Sequence, residues 1–271
     1  MLFFTEEYEM KMKTWLLVTV LSLCAMSASN VSAVETGSVD IYFARHGKTL
    51  LNTYDRVQGW ADSPLTPAGI ETARYLGAGL KGIPFDRYYT SDAGRQRETM
   101  QVILREMGKS QIRATEMPDL REMFFGGFEG LPNGEMADAA AKKLGLASGK
   151  ALFEQMKAGH VSLISMVDAI RQSDEKKEAE TSMQVKTRMQ RALHAMVMEA
   201  TKNGDKNILV VSSGLSIQMM ISDMTNNPDK NKPLPNAAVV KITYENGVYT
   251  VKDIGDMSYV AKGKEILNNN H

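Results

Sequence analysis

The sequence predicts an α/β protein, a three-layer α/β/α sandwich with a mostly parallel central sheet and a helical cap insertion. Three observations carry that prediction. Short β-branched and aromatic runs alternate with longer segments of helical periodicity, the pattern of βα units. The last two strand-like runs, 238–244 and 248–254, are joined by Glu245-Asn246-Gly247, a hairpin signal that adds antiparallel strands. The chain has 271 residues, 43% hydrophobic and 24% charged, enough for a buried core in one or two domains.

Each element has its own justification. Val39 to Ala44 is a short apolar run that stops at Arg45-His46-Gly47, a buried strand delivering polar residues at its C-terminal end. Open α/β sheets keep their sites there. Thr66-Pro67 supplies an N-cap and a first-turn proline, and Ile70, Ala73, Gly77 and Leu80 follow at helical spacing. Phe85 to Thr90 reads as a second strand. Met100, Ile103, Leu104 and Met107 stripe the next helix, which Gly108 ends. The stretch 133–181 holds weak helical patterns broken by Gly145, Gly149 and Gly159, and is the expected cap. Val185, Met189, Leu193, Met196 and Ala200 mark a long helix ended by Asn203-Gly204-Asp205. Ile208 to Val211 is then a strand entering Ser212-Ser213-Gly214, and the hairpin closes the chain.

Composition excludes several functions. Lys plus Arg equals Asp plus Glu at 32 each, so no field of one sign marks a nucleic-acid-binding or membrane-surface protein. One cysteine removes disulfide frameworks and cysteine-based zinc sites, and four scattered histidines argue against a metal cluster. The 19 methionines are read as packing, because Met100, Met107, Met189 and Met196 fall on core stripes.

The single cysteine lies in a segment expected to be removed. Lys11 and Lys13 precede an apolar run from Trp15 to Met26, and Val31-Ser32-Ala33 resembles a cleavage site. The expectation is a signal peptide over 1–33, cleavage after Ala33, and a secreted or periplasmic domain over 34–271 with no stable membrane insertion. The apolar run is far short of the roughly 20 residues a spanning helix needs. The acidic first residues point to a true start at Met10 or Met12. Without Cys24 the mature chain has no thiol, which suits an oxidising exterior.

The chemistry concentrates at Arg45-His46-Gly47. An arginine fork binds phosphate oxygens, a neutral imidazole is a competent nucleophile, and glycine lets a ligand approach the backbone. The run continues through Lys48-Thr49, Asn52, Arg56, Gln58-Gly59-Trp60-Ala61-Asp62-Ser63-Pro64-Leu65-Thr66 and Gly69. Ser91-Asp92-Ala93-Gly94-Arg95 with Thr99, then Leu120-Arg121-Glu122 with Gly127-Phe128-Glu129-Gly130, extend it. Together these resemble the histidine phosphatase superfamily, in its branch of cofactor-dependent phosphoglycerate mutases and broad-specificity phosphatases.

The resemblance implies that His46 becomes a phosphohistidine, that Arg45 and Arg95 clamp the phosphoryl group, and that Glu122 protonates the leaving oxygen. It places Asn52 and the Gln58-Gly59 backbone near the phosphate or substrate. Two guanidinium groups can supply the charge a metal supplies elsewhere, so no metal or other cofactor is required. Arg95, in the first turn of its helix, gains from the N-terminal dipole and free N–H groups. Glu122 needs a raised pKa to act as an acid. Lys48 adds positive charge expected to lower the pKa of His46.

One position departs from the family. A second active-site histidine is expected in a Ser-His-Gly motif, and here Ser213 stands in Ser212-Ser213-Gly214. A hydroxyl donates a neutral hydrogen bond about half as strong as a charged one, and such a loss typically costs about 10²- to 10³-fold in rate. The helix after Ser213 is expected to offer its N–H groups to the phosphate as partial compensation. No other histidine substitutes: His194 lies off the stripe of its helix, His160 reads as a surface residue, and His271 ends the chain. Two functions remain, an exported phosphomonoesterase acting on small-molecule phosphate esters and a non-catalytic phospholigand-binding member of the same fold. A mutase ranks below both, because an exported enzyme would not meet phosphoglycerates.

Overall fold

The computed structural model describes residues 37–269. The expected signal segment, Cys24 and His271 lie outside the described residues. No helix among those described is long and apolar enough to cross a membrane.

Strand β1, Val39–Arg45, lies inside a six-stranded sheet because both its faces are apolar. Ile41 and Phe43 enter one buried cluster, and Tyr42 and Ala44 enter another on the opposite face. With side chains alternating at period two, a strand apolar on both faces belongs in the middle of three layers. The remaining strands are β2 (Arg87–Thr90), β3 (Thr115–Glu116), β4 (Asn207–Ser212), β5 (Val239–Glu245) and β6 (Val248–Asp256). Their order is β3-β2-β4-β1-β5-β6, with β1, β2, β3 and β4 parallel and β5 and β6 antiparallel. The hairpin turn has Asn246 at φ 51° and Gly247 at φ 86°, the left-handed pair that matches strand twist.

Helix α1 (Leu50–Thr53) is a single turn whose capping box joins Thr49 and Asn52. Helix α2 (Pro67–Leu80) begins at the Thr66 cap as expected, and α3 (Gly94–Glu106) ends two residues before Gly108, which adopts φ 75°. The 133–181 stretch forms three helices, α4 (Asn133–Lys143), α5 (Gly149–Lys157) and α6 (Leu163–Ser173). The long helix α7 (Ser182–Asn203) carries a Thr181–Gln184 capping box and a left-handed Gly204 cap. Helix α8 (Gly214–Ile221) leaves β4 directly. Met100, Met107, Met189 and Met196 are all buried.

The chain does not close with the hairpin. Helix α9, Ser258–Asn268, follows β6 and packs against α2. Two glycines permit the approach, since a Cβ on Gly79 would sit 1.9 Å from the Tyr259 carbonyl oxygen and one on Gly263 would sit 1.7 Å from that of Tyr75.

Registry brings the motifs together. β1 and β4 pair in parallel with Arg45 opposite Ser212, and β2 lies on the far side of β4 with Thr90 opposite Val211. His46, Ser213 and Ser91 therefore leave adjacent strands at the same end of the sheet.

Candidate active site

His46 is 3% exposed, and its Nδ1 lies 2.8 Å from the carbonyl oxygen of Gly47. A carbonyl only accepts, so Nδ1 carries the proton and Nε2 keeps its lone pair. Burial pushes the imidazole pKa well below the ordinary histidine value, and the charges of Arg95 and Arg45 push it further. Lys48 is exposed and is not among these causes, so its expected influence on His46 is replaced by that of the two arginines. Gly47 also has a packing role. A Cβ there would lie 2.7 Å from the Gly69 carbonyl oxygen, so the glycine admits neighbouring backbone.

The two arginines are held from opposite sides. Arg45 donates through Nη1 to the Leu234 carbonyl, and burial lowers its pKa. Arg95 is 0% exposed. Its Nη1 pairs with Asp62 at 2.9 Å and its Nη2 donates to the Gly59 carbonyl at 2.8 Å. Both Nε–H groups are buried without a protein partner. Buried guanidinium donors are costly to leave unmet, and an anion is the partner their charge favours. The backbone N–H of Arg95 donates to the Asp62 carboxylate, so the amide expected to serve phosphate at this helix start is occupied.

The loop carrying Gly59 is itself fixed by one carboxylate. Glu129 accepts from the amides of Gly59, Trp60, Ala61 and Phe125 at 2.9 to 3.1 Å. Gly59 is required there, because a Cβ would meet the Met123 carbonyl oxygen at 2.1 Å. Its carbonyl positions Arg95. Gln58 lines the cleft, with Oε1 accepting from Thr49 Oγ1 at 2.6 Å and Nε2 donating to Ser63 Oγ at 3.2 Å. Asn52 also lines the cleft, and its Oδ1 accepts from the Thr49 amide.

Glu122 reaches the cleft from the segment between β3 and α4. Its Oε1 accepts from the amides of Met123 and Ser216 and from Ser216 Oγ, all within 2.9 Å, while Oε2 accepts from the Leu215 amide at 3.1 Å. The Leu215 and Ser216 amides of α8, expected to greet a phosphate, are therefore spent on Glu122. Oε2, with one donor, retains spare capacity to accept a further hydrogen bond. Arg188 holds the segment itself, donating to the carbonyls of Asp119, Arg121 and Glu122 and pairing with Glu180 at 2.8 Å.

The cleft has a volume of about 160 Å³ and brings together Arg45, His46, Asn52, Gln58 and Glu122, with Arg56, Val57, Phe125, Asn133 and Met136 around them. Asn133 and Met136 come from α4, so the inserted helices do contribute to the site. Arg95 and Ser213 are linked to each other through Arg95 Nη2 and Ser213 Oγ at 3.5 Å. His160 and His194 are exposed, as expected. Sequence reasoning missed Asn236, which donates to the His46 carbonyl at 2.9 Å, as well as Gln96, Ser216 and Arg188. Each reaches the site from far along the chain or lies inside a helix, where no local motif signals it.

Comparison with known proteins agrees with this arrangement. Residues 41–160 and 152–257 match the model of the histidine phosphatase superfamily, branch 1. The chain is 24% identical over 240 residues to a broad-specificity phosphatase of Saccharomyces cerevisiae, spanning 86% of this chain and 93% of that one. It is 34% identical over 99 residues to the 2,3-bisphosphoglycerate-dependent phosphoglycerate mutase of Methylocella silvestris, 36% of this chain and about half (48%) of the mutase. The crystal structure of phosphoglycerate mutase from Bacillus anthracis superposes with a TM-score of 0.80 at 41% identity, covering 85% of this chain and 99% of that one. With the family model matched across both halves of the sheet, the chain belongs to the histidine phosphatase superfamily.

Proposed function

We propose that this protein is an exported phosphomonoesterase that transfers the phosphoryl group of a small-molecule ester to His46 and then to water. The observation that carries the reading is a neutral imidazole, fixed in one tautomer, between two buried arginines whose Nε–H groups have no protein partner. Nε2 attacks phosphorus as the P–O ester bond breaks, and the leaving oxygen takes a proton from Glu122 Oε2. Water then attacks phosphorus, the P–N bond breaks, and Glu122 recovers a proton from that water. Phosphoryl transfer is mostly positioning and charge neutralisation, which Arg45 and Arg95 supply. Apolar Val57, Phe125 and Met136 around a small polar floor favour relaxed recognition of the ester's organic group.

Ser213 supports a second reading, because a neutral donor in place of an imidazole weakens transition-state stabilisation. The test is hydrolysis of an aryl phosphate by residues 34–271, beside His46→Ala and Ser213→His. Hydrolysis by the parent, abolished in His46→Ala and changed less than about tenfold in Ser213→His, supports the phosphatase. A silent parent with an active Ser213→His variant means a phospholigand-binding member of the fold. Export rests on residues 1–33. Recovery of the chain in the cell interior with its first 33 residues intact would overturn it.

A further inference from the structure

Ser213 is 0% exposed, and so is Gln96 on α3. Gln96 Nε2 donates to Ser213 Oγ at 2.6 Å, and Arg95 Nη2 approaches the same oxygen at 3.5 Å. A serine hydroxyl has two lone pairs and one hydrogen. With both lone pairs facing donors, the hydrogen points away from Gln96 Nε2 and Arg95 Nη2, and no bond from it to an acceptor is found among the described residues, where Gln96 Oε1 is likewise buried without a partner. On the open side lies Arg45: a Cβ on Gly214 would meet its Cδ and Nε at 3.3 and 3.4 Å. The Nε–H groups of Arg45 and Arg95 are orphaned in the same region. Three donor hydrogens without a protein partner thus belong to Ser213 and to the two arginines that approach it or its neighbour Gly214, a set an oxyanion would satisfy.

We propose that Gln96 is a positioning residue that turns Ser213 into a one-way donor toward the phosphoryl group, the pair standing where the family carries an imidazole. The proposal rests on the phosphoryl-transfer reading of this site and adds a residue to it. A lone serine rotates its hydroxyl among acceptors. An amide N–H clamped to its oxygen removes that freedom before the substrate arrives, so less is lost when the bond to phosphate forms. The opposite amide orientation would have the opposite effect, because a carbonyl facing Ser213 would capture the hydrogen and withhold it.

The test is a double-mutant cycle in the full chain with Gln96→Met, Ser213→Ala and the pair, Met keeping the volume of Gln while removing the amide. Two quantities are read, kcat/KM for an aryl phosphate and the Kd for orthovanadate, an oxyanion that binds without turnover. Each single variant is expected to weaken vanadate binding by about tenfold or more, with kcat falling more than KM rises. Adding Gln96→Met to Ser213→Ala should change vanadate affinity by less than about twofold, since the amide acts only through the hydroxyl. Full multiplicative loss in the pair would overturn the proposal, as would unchanged or tighter vanadate binding in Gln96→Met. A chain that shows this coupling in vanadate affinity but hydrolyses nothing would leave the proposal standing and remove the phosphatase reading.

Discussion

A histidine that attacks phosphorus must be uncharged when the ester arrives, and His46 is kept so by burial and by the charges of Arg95 and Arg45. Two consequences follow at the residue scale. The acid limb of kcat/KM should lie well below the ordinary histidine pKa of about 6.5, and a limb at 6.5 would show a solvated imidazole instead. The unfolded chain binds a proton at His46 below about 6.5 and the folded chain does not. Stability contributed here is therefore full above that pH and falls as the pH drops toward the folded value. Denaturation of His46→Gln should show a shallower loss between about pH 6.5 and 5. Asp62 is a second case. It anchors both the side chain and the backbone amide of Arg95, so Asp62→Ala should lower kcat/KM by about 10- to 100-fold while phosphoenzyme still maps to His46. An unaltered kcat/KM would mean that the Gly59 and Ala61 carbonyls, which accept from Arg95 at 2.8 and 3.2 Å, suffice. His46, Arg45, Arg95, Glu122 and Ser213 were legible as candidates, because Arg45, His46 and Ser213 stand at strand ends, Arg95 in the first turn of a helix, and Glu122 within a recognisable run. Gln96 and Asn236 were not, since their partners Ser213 and His46 are contacts of the folded chain alone.

Elements were legible in proportion to how far their own residues determine them. The Thr66-Pro67 start of α2, the Gly204 end of α7 and the Asn246-Gly247 turn appear where the sequence places them, each resting on a local cap or a positive φ. Helix α9 was invisible, because it shows only a weak stripe, with Gly263 as its one fully buried residue, and its place depends on α2. The same geometry makes it fragile. Gly263→Ala sets a Cβ against the Tyr75 carbonyl and should cost about 1–3 kcal/mol in chemical denaturation, with α9 amides exchanging first. An unchanged midpoint would show that α9 shifts freely on α2. The Arg188 clamp behaves differently, because breaking a largely buried ion pair strands Glu180 and three carbonyls. Arg188→Met should lower stability by about 2–4 kcal/mol, and kcat should fall as the Glu122 segment loosens. A stability loss with kcat intact would confine Arg188 to the scaffold.

Across the whole molecule, balanced charge and a buried site suit a neutral-surfaced enzyme that captures small anions only at close range. Lys plus Arg equals Asp plus Glu, so the field that draws in an ester is local to Arg45, Arg56 and Arg95. Raising ionic strength from about 20 to about 200 mM should lower kcat/KM by no more than about threefold, and a much steeper fall would reveal long-range steering. The sheet gives this local site its construction. Three parallel strands end together, and their following residues are those proposed as nucleophile, phosphate clamp and donor, while α4 walls one side. In the proposed reaction all of it serves one covalent event at one atom. The most direct measurement is acid-free rapid quench of the chain with an aryl phosphate, followed by mapping of the phosphorylated peptide. Phosphate bound through an acid-labile, alkali-stable P–N bond on His46, absent from His46→Ala, is the predicted result. An active chain with no label on His46, or with label on another residue, would contradict the mechanism.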